Sequence, residues 1–280
     1  MIERPLPPNH DKVRPNHRHW TVLLPFHNER DYLPATLESL ARQSAAFDLV
    51  LIDNGSTDDS EEIAREAVAR LGLDIRFLVE RRPGKVAALA AGLVLADTQF
   101  VATCDADTYY PPDYLAAAES IMLGGGHVAA GAYFVAAGAG KTRRRAEALH
   151  ICAAGRLLPE QCHAGGAGQT FRTSVLRAAG GFDPRRWNCV LEDHEIAHRV
   201  LKLGSIGYSR SFWAAPSSRH RNRPNTRWSL AERLVYHATA SFAPDWFFYS
   251  FLGPRLESRS LVSARLRERP FDTAVALAEA

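Results

Sequence analysis

Three groups of side chains in this sequence have the types and spacing of reactive chemistry. The first lies in "TCDADTYYPP", where Asp105 and Asp107 stand one residue apart directly after the apolar run "QFVA". Two hard carboxylates so placed suit a divalent cation that prefers oxygen ligands, Mg2+ or Mn2+. The plainer account is a strand that stops at a polar turn. The second group is "LEDHE", in which Glu192 and Asp193 open an amphipathic segment. A carboxylate there can take the proton of an attacking hydroxyl, or it can simply complement the positive end of a helix. The third overlaps the second. In "HEIAH", His194 and His198 are four residues apart with Glu195 beside the first, the arrangement of a helical zinc peptidase.

Regular elements must bring these groups together. "WTVLLP" predicts a strand, and "DYLPATLESLARQ" a helix with Leu33, Leu37 and Leu40 on one face. "FDLVLI" is the next strand, running into "DNGSTDDSEEIAREAVAR", a turn and a helix whose first residues carry capping and acidic side chains. "IRFLV", "GKVAALAAGLVLA" and "QFVATC" continue the alternation as strand, helix and strand. Strands apolar on nearly every residue imply a parallel sheet covered on both faces. In such a sheet, ligands bind beyond the carboxyl ends of the strands. The chain puts "PFHNE", "DNGSTD", "ERRPGK" and "DADTYY" there. Four polar turns on one edge favour a functional reading of Asp105 and Asp107, because a stop signal needs no company. The zinc-peptidase reading leaves those turns unexplained. It also meets a charged Arg199 where such helices are buried, and Leu201 and Gly204 at the positions of the extended motif.

Beyond Pro111 the alternation loosens. "PDYLAAAESIM" reads as a helix, "HVAAGAYFV" as a strand and "TRRRAEALHICAAGRLL" as a helix with a basic start. "AGGAGQTFR" reads as a glycine-rich loop entering a strand, and "TSVLRAAGGF" and "LEDHEIAHRVLKLG" as helices ended by glycine. A short strand follows Ser205, and helices resume from Ser229. "GAGKT" lacks the leading glycine of a phosphate-binding loop, Val135 standing in its place, and the glycines around Gly165 form no dinucleotide fingerprint.

With 280 residues, 46% of them hydrophobic, the chain can bury a substantial core, which excludes global disorder. A net charge of +3, from 34 basic against 31 acidic residues, makes no electrostatic case for a nucleic-acid partner. Arginine is concentrated in "KTRRR", residues 141–145, and between Arg199 and Arg233. Such runs suit anionic ligands or a membrane surface, a solvated face being the ordinary reading. The four cysteines form no Cys-x-x-Cys pair, so reduced structural thiols and a cytoplasmic location are expected. No run reads as a membrane-spanning helix. "DWFFYSFLG" is expected to bury in a C-terminal core, with a peripheral membrane face, at the inner side of the membrane, as the sharper alternative.

Taken in order, "LLPFHNERDYLPATLESL", "VLIDNGSTDDS", "RPGKVAALAAGL", "VATCDADTYYPPDYL", "GGAGQTFRTSVLRAAGGFDP" and "LEDHEIAHRVLKLG" resemble family 2 glycosyltransferases of the GT-A fold. The resemblance implies an α/β fold, a Rossmann-like and mostly parallel sheet flanked by helices, with a C-terminal helical extension. It implies a loose leader over residues 1–18 and a catalytic domain over 19–228, divided into a nucleotide-sugar half (about 19–111) and an acceptor half (about 112–228). The extension would occupy 229–280. The implied reaction moves one sugar, with inversion, from a nucleotide-diphosphate donor to a hydroxyl acceptor, saccharide or lipid-linked. Pro25, His27 and Glu29 would line the nucleobase and ribose pocket. Asp53 and Asn54 would contact the base, Asn54 standing where many relatives carry a second aspartate. Arg82 and Lys85 would border the nucleotide. Asp105 would meet the ribose or the metal, and Asp107 would bind the Mn2+ or Mg2+ that bridges the diphosphate. His220 would join the metal or the diphosphate. Asp193 would be the general base, with Glu192 as the alternative. "RPNTRW" has one residue too many for the motif of processive synthases, so a non-processive enzyme is implied. Two other readings stay open: a zinc metallopeptidase built on the HEIAH helix, and a catalytically inactive nucleotide-sugar-binding protein.

Overall fold

Successive side chains of a strand point to opposite faces, and in the first strand, β1 (Trp20–Phe26), both faces are apolar and buried. Val22 and Leu24 pack with Leu33 and Leu37 of helix α1 (Leu33–Ala41) in one core, whereas Leu23 joins Val50, Ile52 and Leu89 in another. A strand with an apolar residue at every position therefore serves two helical layers at once. The structure is a computed structural model and describes residues 18–136, 138–217 and 229–262.

The main sheet has seven strands. β1 lies between β2 (Phe47–Asp53) and β4 (Phe100–Thr103), and β3 (Ile75–Val79) forms the outer edge beside β2. These four are parallel, with Pro25 opposite Ile52 and Leu23 opposite Thr103, so their carboxyl ends share one edge. On the other side β8 (Gln169–Arg172) runs antiparallel between β4 and β6 (Ala129–Gly131), and β9 (Ile206–Gly207) closes the sheet parallel to β6. One face is covered by α1, α2 (Ser60–Leu71) and α4 (Tyr114–Gly124), through residues such as Ala64, Val68 and Leu115. The other is covered by α3 (Lys85–Val94), α6 (Thr173–Ala178) and α7 (Glu192–Leu201), through Val86, Leu176, Ile196 and Val200. The expected α/β architecture, a mostly parallel sheet flanked by helices, is present.

A second sheet was not legible in the sequence. It joins β5 (Thr108–Tyr109), β10 (Trp213–Pro216) and β7 (Tyr133–Phe134). "HVAAGAYFV" is consequently two strands rather than one. Gly131 pairs with Gln169 in the large sheet, whereas Tyr133 pairs with Trp213 in the small one. The strands of the small sheet are two to four residues long, too short to display a period, and their partners lie far away in the chain. Helix α5 (Lys141–Leu157) follows β7.

The C-terminal extension begins at α8 (Leu230–Thr239), where Ser229 and Glu232 form a reciprocal capping box. A π-helical turn, Trp246–Leu252, runs into α9 (Gly253–Ser258). Phe247, Phe248 and Leu252 pack with Trp187, Cys189 and Leu261 in a third core, so these three bury as expected, whereas Trp246 and Tyr249 are exposed. All four cysteines are free thiols, and Cys104, Cys162 and Cys189 are buried. Among the described residues no helix is long and apolar enough to cross a membrane.

Candidate active site

The ends of β1 and β2 are tied to each other before they meet anything else. Asn28, in the left-handed region at φ 54°, donates its backbone N–H to Ser56 Oγ at 3.1 Å, and its Oδ1 accepts from the Thr57 N–H at 2.8 Å. Asparagine tolerates that conformation better than most side chains. Asp53 ends β2 buried, its Oδ1 accepting from the Ser56 N–H at 2.9 Å and from Ser56 Oγ at 2.7 Å. Pro25 is buried inside β1, and His27 and Glu29 are half-buried on the turn that follows, the Glu29 N–H donating to Ser60 Oγ at 2.8 Å.

Asn54 holds the loop between β3 and α3. Its Nδ2 donates to the carbonyls of Glu80 and Arg82, both at 2.8 Å, and its Oδ1 accepts from the Gly84 N–H at 3.0 Å. Gly84 caps α3 at φ 116°, a conformation that excludes ordinary side chains. A carboxylate could not take the place of this amide, because it cannot donate to two carbonyls. Arg82 is largely exposed and grips Glu80, with Nη2 at 2.8 Å from Oε2.

Lys85 makes the link between the two halves of the chain. Its Nζ lies 2.6 Å from Asp105 Oδ1 and 3.4 Å from Glu192 Oε1, so one ammonium joins the turn after β4 to the start of α7. The glycine-rich loop fits between them: a Cβ on Gly166 would stand 3.1 Å from Lys85 Nζ and 3.3 Å from Asp193 Cβ. The Gly166 N–H donates to Asp193 Oδ2 at 2.9 Å, and Gln169 Nε2 donates to the Asp193 carbonyl at 2.9 Å. Thr103 Oγ1 donates to the Gly166 carbonyl at 2.8 Å, and the Tyr110 hydroxyl accepts from the Asp105 N–H while donating to the Ala167 carbonyl. α7 is launched by Leu191 at φ 65°, a left-handed conformation that costs a branched apolar residue about 1–2 kcal/mol. Its side chain packs against the third core, which holds the strained residue in place.

The charges of this group are set by burial and by one another. Burial opposes the charge on Lys85, yet Asp105, Glu192 and Asp193 together hold the ammonium above its usual range. Burial would likewise raise Asp193, but the charge and hydrogen bonds of His194, together with Lys85, overcome it and hold the carboxyl at about 2. Both the His194 N–H and its Nδ1 reach Asp193 Oδ1, at 2.8 and 3.0 Å. Burial works against the His194 proton too, and the Asp193 carboxylate more than restores it. Glu192 goes the other way: burial lifts it, Lys85 pulls it back, and the Asp193 charge adds to the rise.

Asp107 is buried, and Ser217 binds it twice: Ser217 Oγ donates to its Oδ2 at 3.2 Å and the Ser217 N–H donates to its carbonyl at 2.7 Å. Asp105 and Asp107 are hard oxygen donors suited to Mg2+ or Mn2+. Among the described residues no three of His, Cys, Asp and Glu form a group able to hold an ion unaided. An ion here would therefore take the remainder of its shell from a ligand and water, which is how Mg2+ is commonly bound beside phosphates. His220 and the "RPNTRW" segment lie outside the described residues.

The HEIAH helix does not offer a zinc site. His194 turns to Asp193, whereas His198 Nε2 lies 2.7 Å from Asp245 Oδ1 and its ring stacks on Phe248. Glu195 is locked to Arg199 by two contacts of 2.8 Å and accepts from the Tyr249 hydroxyl at 2.6 Å. Arg199 is buried rather than solvated, because it also donates to the carbonyls of Ala179 and Gly181. Gly166, Gln169, Tyr110 and Ser217 were not singled out from the sequence. Their local signals, a glycine cluster and a tyrosine pair, do not reveal which distant group they touch.

Comparison with known proteins follows the same lines. Residues 21–177 match the family model described as glycosyl transferase family 2, more than half of the chain. An undecaprenyl-phosphate 4-deoxy-4-formamido-L-arabinose transferase of Pseudomonas savastanoi is 37% identical over 101 residues, covering 33% of this chain and 29% of that protein. An uncharacterized glycosyltransferase of Mycobacterium tuberculosis is 41% identical over 87 residues, 31% of this chain and 36% of the relative. The match thus spans about a third of the length of these relatives. Among solved structures, a mannosyltransferase of Pyrobaculum calidifontis, in complex with GDP-Man and Mn2+, superposes with a TM-score of 0.67 at 20% identity, over 95% of this chain and 81% of that one. S. aureus TarS 1–349 in complex with UDP-GlcNAc gives 0.56 at 19% identity, over 83% and 71%. At such identities these two likenesses establish the fold. With the family model spanning β1 to β8, the Asp105–Asp107 turn and the glycine-rich loop, the chain belongs to glycosyl transferase family 2.

Proposed function

We propose that the protein is a non-processive, inverting glycosyltransferase that moves one sugar from a nucleotide-diphosphate donor to a hydroxyl acceptor. The observation that carries this reading is the Lys85 bridge, which unites the turn of Asp105 with the Glu192–Asp193 pair across the glycine-rich loop. One cluster of side chains then brings a carboxylate suited to a metal–diphosphate beside the carboxylates suited to a proton.

In this reading the nucleotide-sugar half supplies Pro25, His27, Glu29 and Asp53 around the nucleoside, with Asn54 shaping the loop that carries Arg82 and Lys85. Asp107 and Asp105 would hold a divalent ion, Mn2+ or Mg2+, which supplies charge neutralisation to the leaving diphosphate. Asp193 takes the hydroxyl proton as the new bond forms at the anomeric carbon and the bond to the diphosphate breaks, a single displacement that inverts the centre. Its low pKa keeps it ionised, and the Gly166 and His194 hydrogen bonds fix its orientation. Glu192, lifted by burial, is the neighbouring alternative. The acceptor class extends to lipid-linked molecules, since one relative is named for undecaprenyl phosphate.

Asp193→Asn is expected to abolish transfer while leaving donor binding, read by calorimetry with UDP-, GDP- and dTDP-sugars and Mn2+, within a factor of a few. Full transfer by this variant overturns the assignment of the base. Donor binding by the unmodified protein without transfer to any acceptor, or hydrolysis, would identify a sugar-nucleotide sensor instead.

A further inference from the structure

α5 opens with a run that its own electrostatics oppose. Lys141, Arg143, Arg144 and Arg145 fall at the positive end of the helix dipole, and the first turn contains no acidic residue. α2, α7 and α8 carry acidic residues in the first turn, whereas α1, α3, α4, α6 and α9 do not; α5 is set apart by its run of four cations rather than by the missing acid. A broken local rule points to a stretch shaped by function.

These cations converge. Lys141, Arg144 and Arg145 line a cleft of 430 Å3 together with Arg210, which comes from the turn before β10, and with Tyr133 and Leu149. Some exposed arginines elsewhere sit on carboxylates, as Arg65 does on Glu61, Arg70 on Glu38 and Arg185 on Asp183. Among the described residues none of the four cleft cations has a carboxylate within 4.0 Å. The Arg144 cation and the Arg210 backbone are held by other means. The Arg144 guanidinium lies 4.2 Å from the centre of the Trp213 ring, and the Tyr133 hydroxyl donates to the Arg210 carbonyl at 2.9 Å.

Apolar side chains border the charge. Leu149 lines the cleft at 51% exposure, and Leu157 and Leu158 stand exposed at the far end of the helix, about 25 Å along for 17 residues. The cleft is separate from the carboxylate site but shares a strand with it: on β7, Tyr133 lines the cleft, whereas Phe134 lies against Gly165 and Gly168.

We propose that the cleft and the exposed side of α5 form the face on which this protein docks on an anionic phospholipid bilayer. The guanidinium groups take headgroup phosphates, whose oxygens match their fork of donors, and the leucines enter the headgroup boundary. A soluble phosphate ester would use the cations and leave the leucines in water; a bilayer uses both. In the aromatic stretch 245–253, Phe247, Phe248 and Leu252 are committed to the third core, and Trp246 and Tyr249 are exposed. The inference stands independently of the glycosyl-transfer reading.

Sedimentation of the full chain with vesicles tests it. Binding is expected to phosphatidylglycerol-containing vesicles, not to pure phosphatidylcholine, and it should weaken as salt rises. Each cation near an anionic surface contributes about fivefold to partitioning. Lys141→Glu/Arg145→Glu should therefore lose at least roughly thirtyfold, and Arg210→Ala, which leaves α5 untouched, about fivefold. Leu149→Ser should weaken vesicle binding as well. Inorganic phosphate at constant ionic strength should not release the protein. No binding to anionic vesicles, unchanged binding by Arg210→Ala or by the folded double variant, or release by inorganic phosphate each overturns the proposal.

Discussion

Lys85→Met removes the ammonium that stands between Asp105 and Glu192 while keeping the length of the side chain. Three carboxylates, Asp105, Glu192 and Asp193, then face one another without the cation that now lies 2.6 Å from one and 3.4 Å from another. Exposed ion pairs contribute about 0–1 kcal/mol, and removing one partner of a fully buried pair costs about 3–5 kcal/mol. With the Lys85 side chain 30% exposed and that of Asp105 25% exposed, the pair lies between these limits. A loss of about 2–3 kcal/mol at pH 7 follows, equivalent to a fall in melting temperature on the order of 5 °C for a domain of this size. The pH dependence carries the sharper test. Lys85, its pKa raised, contributes fully below its unfolded value, so neutral pH lies inside its window. On acidification Glu192, raised by burial, takes a proton, and the repulsion left by the substitution falls. Urea unfolding of both proteins between pH 4 and 8 should show two curves that separate at neutral pH and approach one another in acid. A loss under about 0.5 kcal/mol, within the range of ordinary surface substitutions, or one that is constant with pH, refutes the bridge as an energetic element.

Two further outcomes follow from the same contacts. Asn54→Asp replaces an amide that donates to two carbonyls with a carboxylate that must face them, and should cost about 2–3 kcal/mol at neutral pH; an unchanged melting curve would show that the loop does not depend on this amide. His194→Phe should expose the linkage between Asp193 and His194. The depressed Asp193 contributes stability above an unfolded pKa of about 3.9 and loses it as the pH falls towards about 2. The raised His194 contributes fully below an unfolded pKa of about 6.5 and loses it as the pH rises through its folded value. The stability difference between the two proteins, measured by urea unfolding, should therefore be largest between those two unfolded values, and a flat difference would deny the coupling.

Some elements could be read directly. The apolar runs of β1, β2 and β4 appear where expected because a strand covered on both faces must be apolar at every position. Leu33, Leu37 and Leu40 are fully buried, as their helical spacing indicates. The turns at Asp53 and Asp105 fall at strand ends for the same local reasons. Other features were closed to such reading. "HVAAGAYFV" looks like one strand because residue types do not show that Gly131 pairs in one sheet and Tyr133 in another. Arg199, charged and expected in water, is buried because Glu195 and two distant carbonyls satisfy it.

By itself the sequence determined the layers, the edge where the polar turns gather and the residue types available there, since periodicity, caps and turn chemistry act over a few neighbouring residues. Which of those residues meet was decided only by the tertiary structure. Lys85 reaches Asp105 and Glu192, Gly166 reaches Asp193, and Arg210 joins the start of α5 through packing between elements far apart in the chain. No local spacing encodes such a distance. The two histidines of one helix show the same limit, for their i, i+4 spacing is that of a metal site, and their neighbours turn them to Asp193 and Asp245 instead.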